Sequence, residues 1–237
     1  MLLLPVEAIQ QNFTGCYLVF FLCIPFLNIL IQNMTEKQHI HLIIWVSFIY
    51  IFLGTIPITN VTMNYVSWYI VLYFIASYFR MYPRPLFENT KFWGWMAAVS
   101  FVISLVSIIV CTWLGTKIGK QIPFYFVSDS NKILAVLTAI SAFLFFKNVK
   151  IEYSKIINAV AASTFGVLQI HANSDAMRRW LWQDLLNNVG MYESNWLVLH
   201  AFGSVIGVFV ICTAIDYLRI RLIEVPVERH WRMDSCH

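Results

Sequence analysis

Residues 164–182 read TFGVLQIHANSDAMRRWLW, and this stretch joins three features that the rest of the chain keeps apart. An apolar helix ends in a polar cluster, and an amphipathic segment bearing two tryptophans follows at once. The cluster, here named the His171 cluster, consists of His171, Asn173, Ser174, Asp175, Arg178 and Arg179. Polar groups between an apolar helix and an amphipathic one indicate a site at a membrane surface.

The amphipathic segment carries the start and stop signals of a helix. Asn173 or Ser174 can cap its first turn, Asp175 lies where the helix dipole favours an anion, and Gly190 can end it. Its apolar residues at helical spacing are Met177, Trp180, Leu181 and Leu185. We therefore expect an interfacial helix that lies in the headgroup region. A capped helix without a ligand and a substrate site explain the pattern equally well.

The composition is that of an integral membrane protein. Of 237 residues, 59% are hydrophobic and only 12% are charged, and the mean hydropathy is +0.70. The 16% of aromatic residues suit the belts that anchor helix ends at membrane interfaces. The net charge of +4 is modest, and no other feature favours nucleic-acid binding. The lipid bilayer is therefore the expected partner, and nucleic acid is not.

Seven apolar segments approach the length of about 20 residues that a bilayer core requires. They are residues 13–31, 42–58, 65–79, 92–114, 133–146, 156–170 and 196–218. The sixth is rich in small residues, which let a neighbouring helix approach closely, so we expect it to be buried in the bundle. The predicted fold is all-α. It is a polytopic transmembrane bundle of about seven spanning helices plus one interfacial amphipathic helix, in a single integral membrane domain over residues 1–237.

The basic residues of the connecting segments predict the orientation. If the seven segments alternate sides, eleven of the sixteen Lys and Arg residues fall on the side of the C-terminal tail and five on the other. The positive-inside rule places the richer side in the cytoplasm. The N-terminus and the His171 cluster are then expected outside, and the C-terminus inside. An odd number of crossings also predicts that further crossings precede this chain.

Two other groups of polar residues lie in or beside apolar segments. His39 and His41 are two positions apart, which on a helix points them to different faces, so no metal site is expected. Asp216 lies late in the last apolar segment and is expected to form a structural ion pair with Arg219 or Arg80.

His171 is the stronger candidate for chemistry. Asp175, one turn further on, can position and tune its imidazole as an acid or base. A plain hydrogen bond to a neighbouring helix explains the residue equally well.

Four stretches, taken together, resemble a known family. They are FLCIPFLNILIQNMTEKQ (21–38), WYIVLYFIASYFRMYP (68–83), STFGVLQIHANSD (163–175) and DYLRIRLIEVPVER (216–229). Their order and spacing are similar to those of the bacterial acyltransferase type 3 family of polytopic membrane O-acyltransferases, over nearly the whole chain. The resemblance implies transfer of an acyl group, usually acetyl from acetyl-CoA, to hydroxyls of surface polysaccharides or other extracytoplasmic acceptors. It also implies the bacterial inner membrane as the location.

The resemblance starts after the family's first helices, which carry an Arg and a His central to transfer. The catalytic residues are therefore unknown here, and the chain is expected to be the C-terminal portion of such an enzyme, completed by the missing helices or by a partner chain. The resemblance implies acceptor-side substrate binding by His171, Asn173, Asp175 and Arg178. No bound cofactor and no metal are expected, and acetyl-CoA is the expected acyl donor.

Two alternatives to an acyltransferase remain open from the residues. A transporter or flippase subunit would use the small-residue sixth helix to line a pathway, although the paired broken helices typical of transporters are not found in the sequence. An inactive remnant of the acyltransferase would fold poorly, because helices without their partners expose polar faces to lipid.

Overall fold

The computed structural model describes residues 13–56, 64–120, 122–172 and 174–227, and within these ranges every regular element is a helix. The all-α prediction is thus confirmed for the described residues. The chain folds into two compact units, Met1–Lys150 and Ile151–His237, and each is described by itself. That residues 1–237 form a single membrane domain stays a prediction.

The first unit contains five α-helices among its described residues. They are α1 (Phe13–Asn33), α2 (Glu36–Ser47), α3 (Tyr65–Met81), α4 (Thr90–Ile118) and α5 (Ile133–Asn148). Helix α2 continues into a π-helical turn, Phe48–Leu53, and a 3-10 turn, Pro85–Glu88, lies between α3 and α4. The side chains of Thr35, Asn64 and Asn89 accept hydrogen bonds from the first turns of α2, α3 and α4, which explains where these helices begin.

The second unit contains three α-helices in the part that the structure describes. They are α6 (Lys155–Ala172), α7 (Asp175–Arg179) and α8 (Leu197–Arg219). Helix α7 continues into a π-helical turn, Trp180–Leu185, and α8 into another, Ile220–Glu224. The short α7 with its π-helical turn occupies the predicted amphipathic segment.

Helices occupy all seven predicted apolar segments, but three of them are long and apolar enough to cross a membrane. These candidate spans are Thr14–Asn33, Thr90–Ile118 and Leu197–Val227. Seven spanning helices are therefore not supported. Helices α3 and α5 have only 17 and 16 residues, and α2 and α6 begin with charged or polar residues that lower their hydropathy. The three long helices are compatible with an integral membrane protein.

The core of the first unit lies between α2, α3 and α5. Trp68, Val71 and Ile75 on α3 are buried together with Val136 on α5. Partly buried residues of α2, its π-helical turn and neighbouring positions complete this cluster: Ile43, Val46, Tyr50, Ile51, Leu72, Phe79 and Ile140. Burial of these apolar side chains holds the three short helices together.

A loop preceding α5 binds the backbone around the π-helical turn of α2. Asn131 is 3% exposed, and its Nδ2 donates to the Tyr50 carbonyl oxygen at 2.9 Å. Lys132 Nζ donates to the Gly54 carbonyl oxygen at 2.6 Å. A buried carbonyl without a partner is costly, and a π-helical turn departs from the usual i to i−4 bonding. The two loop side chains therefore stabilise this end of α2.

Helices α6 and α8 of the second unit pack closely at Gly166. The Asp216 carboxyl group of α8 occupies the space that a Cβ atom at position 166 would need. Ser163 and Val167 are buried on the same face of α6, whereas Ile156 is 77% exposed. The expectation that this helix is buried in the bundle therefore holds for this face only. Its small residues provide one contact face for α8, and the opposite face stays open.

Candidate functional site

His171 lies in the last turn of α6 and is half-buried. Its Nδ1 lies 2.6 Å from the Val167 carbonyl oxygen. A carbonyl oxygen only accepts hydrogen bonds, so Nδ1 must carry the proton and donate it. In the neutral imidazole the lone pair is then on Nε2, which is the atom left to accept a hydrogen bond from a ligand. Val167 thus fixes both the tautomer and the ring orientation.

The other members of the His171 cluster make local contacts. Ser174 caps α7, because its Oγ accepts a hydrogen bond from the Met177 N–H at 3.2 Å. Asp175 Oδ1 accepts a hydrogen bond from Arg178 Nη2 one turn later, and both side chains are largely exposed. Asp175 is thus paired with Arg178, and its described contacts do not include His171. Asn173 lies outside the described residues, so its predicted role in substrate binding stays a prediction.

The segment that follows α7 ends earlier than the sequence predicted. Its π-helical turn stops at Leu185, and Asn187 adopts a left-handed conformation with φ of 48°. Asparagine tolerates this conformation, so it ends the helix in the way we expected of Gly190. Leu181 is buried, while Trp180 and Leu185 are at least half exposed. These exposed apolar side chains are what an interfacial segment needs.

Asp216 forms a second polar site in the same unit. It is 1% exposed, and its Oδ1 accepts a hydrogen bond from Arg219 Nε at 2.7 Å. Arg219 Nη1 also donates to Glu224 Oε2 at 2.9 Å, so one guanidinium joins two carboxylates. The predicted ion pair of Asp216 with Arg219 is thus confirmed. Oδ2 of Asp216 is buried and has no hydrogen-bond partner among the described residues.

The first unit holds a polar group that the sequence did not indicate, here named the Glu36 cluster. Glu36, in the first turn of α2, accepts a hydrogen bond from Arg84 Nη2 at 2.5 Å and another from the Tyr78 hydroxyl at 3.2 Å. Arg84 and Glu36 are 48 positions apart, so no local spacing pattern reveals the pair. The signal that was present is a capping box at Thr35 and Gln38, which places Glu36 at a helix start.

His39 lies one helical turn after Glu36 on α2, and its ring contacts Tyr78 of the Glu36 cluster. It is 0% exposed, its Nε2 lies 3.0 Å from the Phe74 carbonyl oxygen, and the rings of Tyr78 and Tyr82 meet it edge to face. Nε2 must therefore donate, and the buried Nδ1 has no hydrogen-bond partner in the described ranges. His41 is exposed, which confirms that the two histidines point to different faces.

The ion pair of Glu36 with Arg84 predicts a pH dependence of stability. The hydrogen bond from Arg84 lowers the pKa of the Glu36 carboxyl below its usual range. A carboxyl with a lowered pKa in the folded state stabilises that state above its unfolded pKa, near 4.3, and this stabilisation is lost as the pH falls through the lowered value.

We therefore expect the thermal stability of wild type to exceed that of Glu36→Gln at pH 7 by a small margin, since both side chains are about half exposed. The margin should disappear in acid. Melting temperatures of the two proteins in detergent between pH 7 and pH 3 measure it. A margin that grows toward pH 3 would contradict the assignment.

No three His, Cys, Asp or Glu side chains in the described ranges lie close enough together to hold a metal ion. Comparison of the chain with protein-family models, curated proteins and solved structures finds no match. The resemblance of the four stretches to the acyltransferase family therefore stays a prediction from their residues.

Proposed function

We propose that this protein is a membrane-bound acyltransferase that moves an acyl group, most simply acetyl from acetyl-CoA, to hydroxyls of a surface polysaccharide or similar extracytoplasmic acceptor. In this proposal about seven helices span the bacterial inner membrane, with the N-terminus outside and the C-terminus in the cytoplasm. Helix α7, which carries part of the His171 cluster, and its π-helical turn lie at the outer interface.

The proposal rests on one observation, which is that residues from separate resembling stretches contact each other. In the first unit, the Tyr73 hydroxyl donates to Asn28 Oδ1 at 2.7 Å, where Asn28 ends the Pro-Phe-Leu-Asn motif. In the second unit, Gly166 of the Phe-Gly-x-x-x-Ile-His motif packs on Asp216, the first residue of the fourth stretch. Motif residues that meet in space are expected of a shared fold, whereas chance matches would scatter.

The placement of ionisable groups supports the same proposal. In the first unit, the fully buried His39 directly follows the first stretch and lies 3.0 Å from the Phe74 carbonyl oxygen of the second stretch. In the second unit, Asp216 at the described contact is itself fully buried. Ionisable side chains buried between membrane helices are costly and are usually retained for function. Their presence favours an active protein over an inactive remnant.

The reaction needs few groups from the protein. The acceptor hydroxyl loses its proton to a base as its oxygen attacks the thioester carbonyl, and the tetrahedral intermediate then releases the thiolate of coenzyme A, which takes up a proton. In the proposal, His171 Nε2 accepts a hydrogen bond from a neighbouring hydroxyl of the acceptor and so orients the acceptor. Arg178 and Asn173 bind the rest of the acceptor. The general base is not assigned.

This role predicts the behaviour of His171→Ala. The variant loses one hydrogen bond to the acceptor, so we expect kcat/KM for the acceptor to fall about tenfold while the protein still inserts. The assay follows radiolabelled acetyl from acetyl-CoA into polysaccharide in membranes that contain the chain. His200→Ala is the matched control, since His200 lies in the first turn of α8 and is not part of the proposed site.

Three other outcomes would contradict the proposal at different points. Equal activity of His171→Ala and wild type would remove His171 from the site. Sugar or lipid flux through liposomes without acetyl transfer would favour the transporter alternative. Rapid degradation of the chain, with neither activity, would favour the inactive remnant.

A further inference from the structure

A cleft in the second unit lies outside every site described above. It runs between the start of α6 and the C-terminal half of α8, which lies toward the cytoplasm in the proposed orientation. Its volume is about 850 Å³. Its polar lining residues include Tyr153 just before α6 and Lys155 at its start, Thr213 and Tyr217 of α8, and Arg221 of the π-helical turn that follows α8. This volume is far larger than an inorganic anion needs and lies in the range of small-molecule sites.

The polar lining of the cleft carries uncompensated positive charge. Lys155 and Arg221 form no ion pair with an acid in the part of the chain that the structure describes, whereas the nearby Asp216 and Glu224 are already paired with Arg219. Lys155 also stands in the first turn of α6, where the helix dipole disfavours a cation. An anion bound between Lys155 and Arg221 would offset both effects.

Tyr217 fixes the orientation of the Arg221 side chain. Arg221 Nε donates to the Tyr217 hydroxyl at 3.1 Å, and the guanidinium carbon lies 5.3 Å from the centre of the Tyr217 ring. The Arg221 side chain is exposed, and its two Nη groups have no acceptor among the described residues. A guanidinium fixed in this way suits a phosphate, which accepts two parallel hydrogen bonds from it.

Much of the remaining lining of the cleft is apolar. It includes Ile156 and Val160 of α6 and Phe209 and Val210 of α8, and Ile156 is largely exposed to the surroundings. The cleft lining thus combines two cations with an apolar surface from both helices.

We infer that this cleft binds one anionic phospholipid, with the phosphate between Lys155 and Arg221 and an acyl chain along Ile156, Val160 and Phe209. Basic and tyrosine side chains at the end of a spanning helix lie at headgroup depth, and the apolar surface continues from there along the helix. The ligand chemistry follows from this combination of two cations with apolar side chains. The inference is independent of the acyltransferase proposal.

The test measures lipid binding by the full chain. The protein is purified in detergent, titrated with phosphatidylglycerol or phosphatidylcholine, and analysed by native mass spectrometry. We expect one tightly bound phosphatidylglycerol and weaker phosphatidylcholine. Lys155→Gln with Arg221→Gln should bind phosphatidylglycerol about 30-fold more weakly, which corresponds to about 2 kcal/mol for two cations near a headgroup.

Two further variants keep the test decisive. Lys155→Gln alone changes an exposed side chain, so it should fold normally and lose about fivefold. Lys147→Gln with Lys150→Gln removes the same charge from exposed positions near the same proposed membrane face and should bind like wild type.

Three results would overturn the inference. Equal losses in both double variants would mean that general surface charge attracts the lipid. Equal binding of the two phospholipids would leave only an apolar groove. Displacement by soluble glycerol phosphate at the concentration of the lipid would mean a phosphate site that does not need an acyl chain.

Discussion

Gly166→Ala is expected to unfold the second unit or to lower its stability by about 3–5 kcal/mol. The added methyl group would overlap Cγ and Oδ1 of Asp216, and both helices are fixed by their packing. Either α6 and α8 separate, or the carboxyl group turns away from Arg219 and stays buried without its cation. Breaking one side of a buried pair costs about 3–5 kcal/mol, and overpacking alone costs about 1–3 kcal/mol. The protein is heated to a series of temperatures, and the fraction that still elutes as the folded peak in fluorescence-detected size exclusion measures the loss.

Gly203→Ala and Gly207→Ala are the matched controls for this prediction. Both glycines lie in α8, and among the described residues no heavy atom outside the adjoining backbone of α8 lies within 4 Å of a Cβ placed at either position. Since alanine favours a helix by about 1 kcal/mol over glycine, both controls should keep or raise the stability. A similar loss in all three variants would show that helix flexibility, and not the contact with Asp216, requires glycine at position 166.

The partner residue allows a second check of the same contact. Asp216→Ala removes the carboxyl group and should make room for a methyl group at position 166. Adding Gly166→Ala to Asp216→Ala should therefore cost little, although Gly166→Ala is severe in wild type. Such non-additivity is the signature of two residues in direct contact. Additive losses would place the strain elsewhere.

The helices were predictable because their signals are local. Each of the seven apolar runs became a helix near its predicted bounds, since length and hydropathy are properties of neighbouring residues. The sequence likewise predicted a cap at Asn173 or Ser174, and Ser174 caps α7. The ion pair of Asp216 with Arg219 spans one helical turn and was predicted for the same reason.

The parts that were missed depend on residues far apart in the chain. The Glu36 cluster needs Arg84 and Tyr78, more than 40 positions away, and nothing near Glu36 announces them. The π-helical turn after α2 was missed because its loop partner Asn131 is 81 positions from Tyr50. Asp175 was expected beside His171, yet Arg178 lies one turn away on its own helix and pairs with it first. The ion pair of Asp175 with Arg178 on the same helix thus forms in place of the contact with His171 that the proposed function suggested.

Asn131→Leu should be the most damaging change in the first unit, with an expected loss of about 3–5 kcal/mol. The variant has no N–H to donate, so the Tyr50 carbonyl oxygen loses its side-chain partner in a buried place, at a cost of about 1–3 kcal/mol. The Asn131 amide group packs so close to Gly54 that a Cβ atom added at position 54 would come within 2.7 Å of its nitrogen, so the branched end of leucine must fit the same narrow space. Overpacking there adds about 1–3 kcal/mol. Denaturation in a titration of dodecyl sulphate measures the loss.

Asn33→Leu separates the role of burial from that of the hydrogen bond itself. Asn33 Nδ2 donates to the Ile29 carbonyl oxygen at 2.7 Å, the same kind of bond, but at an exposed position. Polar surroundings can donate a hydrogen bond to the Ile29 carbonyl oxygen in place of Asn33. The free energy of unfolding should therefore fall by no more than about 0.5 kcal/mol. Equal losses at the two positions would mean that Asn131 acts only as one more hydrogen bond. A large loss at Asn131 alone would mean that the loop side chain holds the π-helical turn, because Asn131 is buried and joins that turn to the loop before α5.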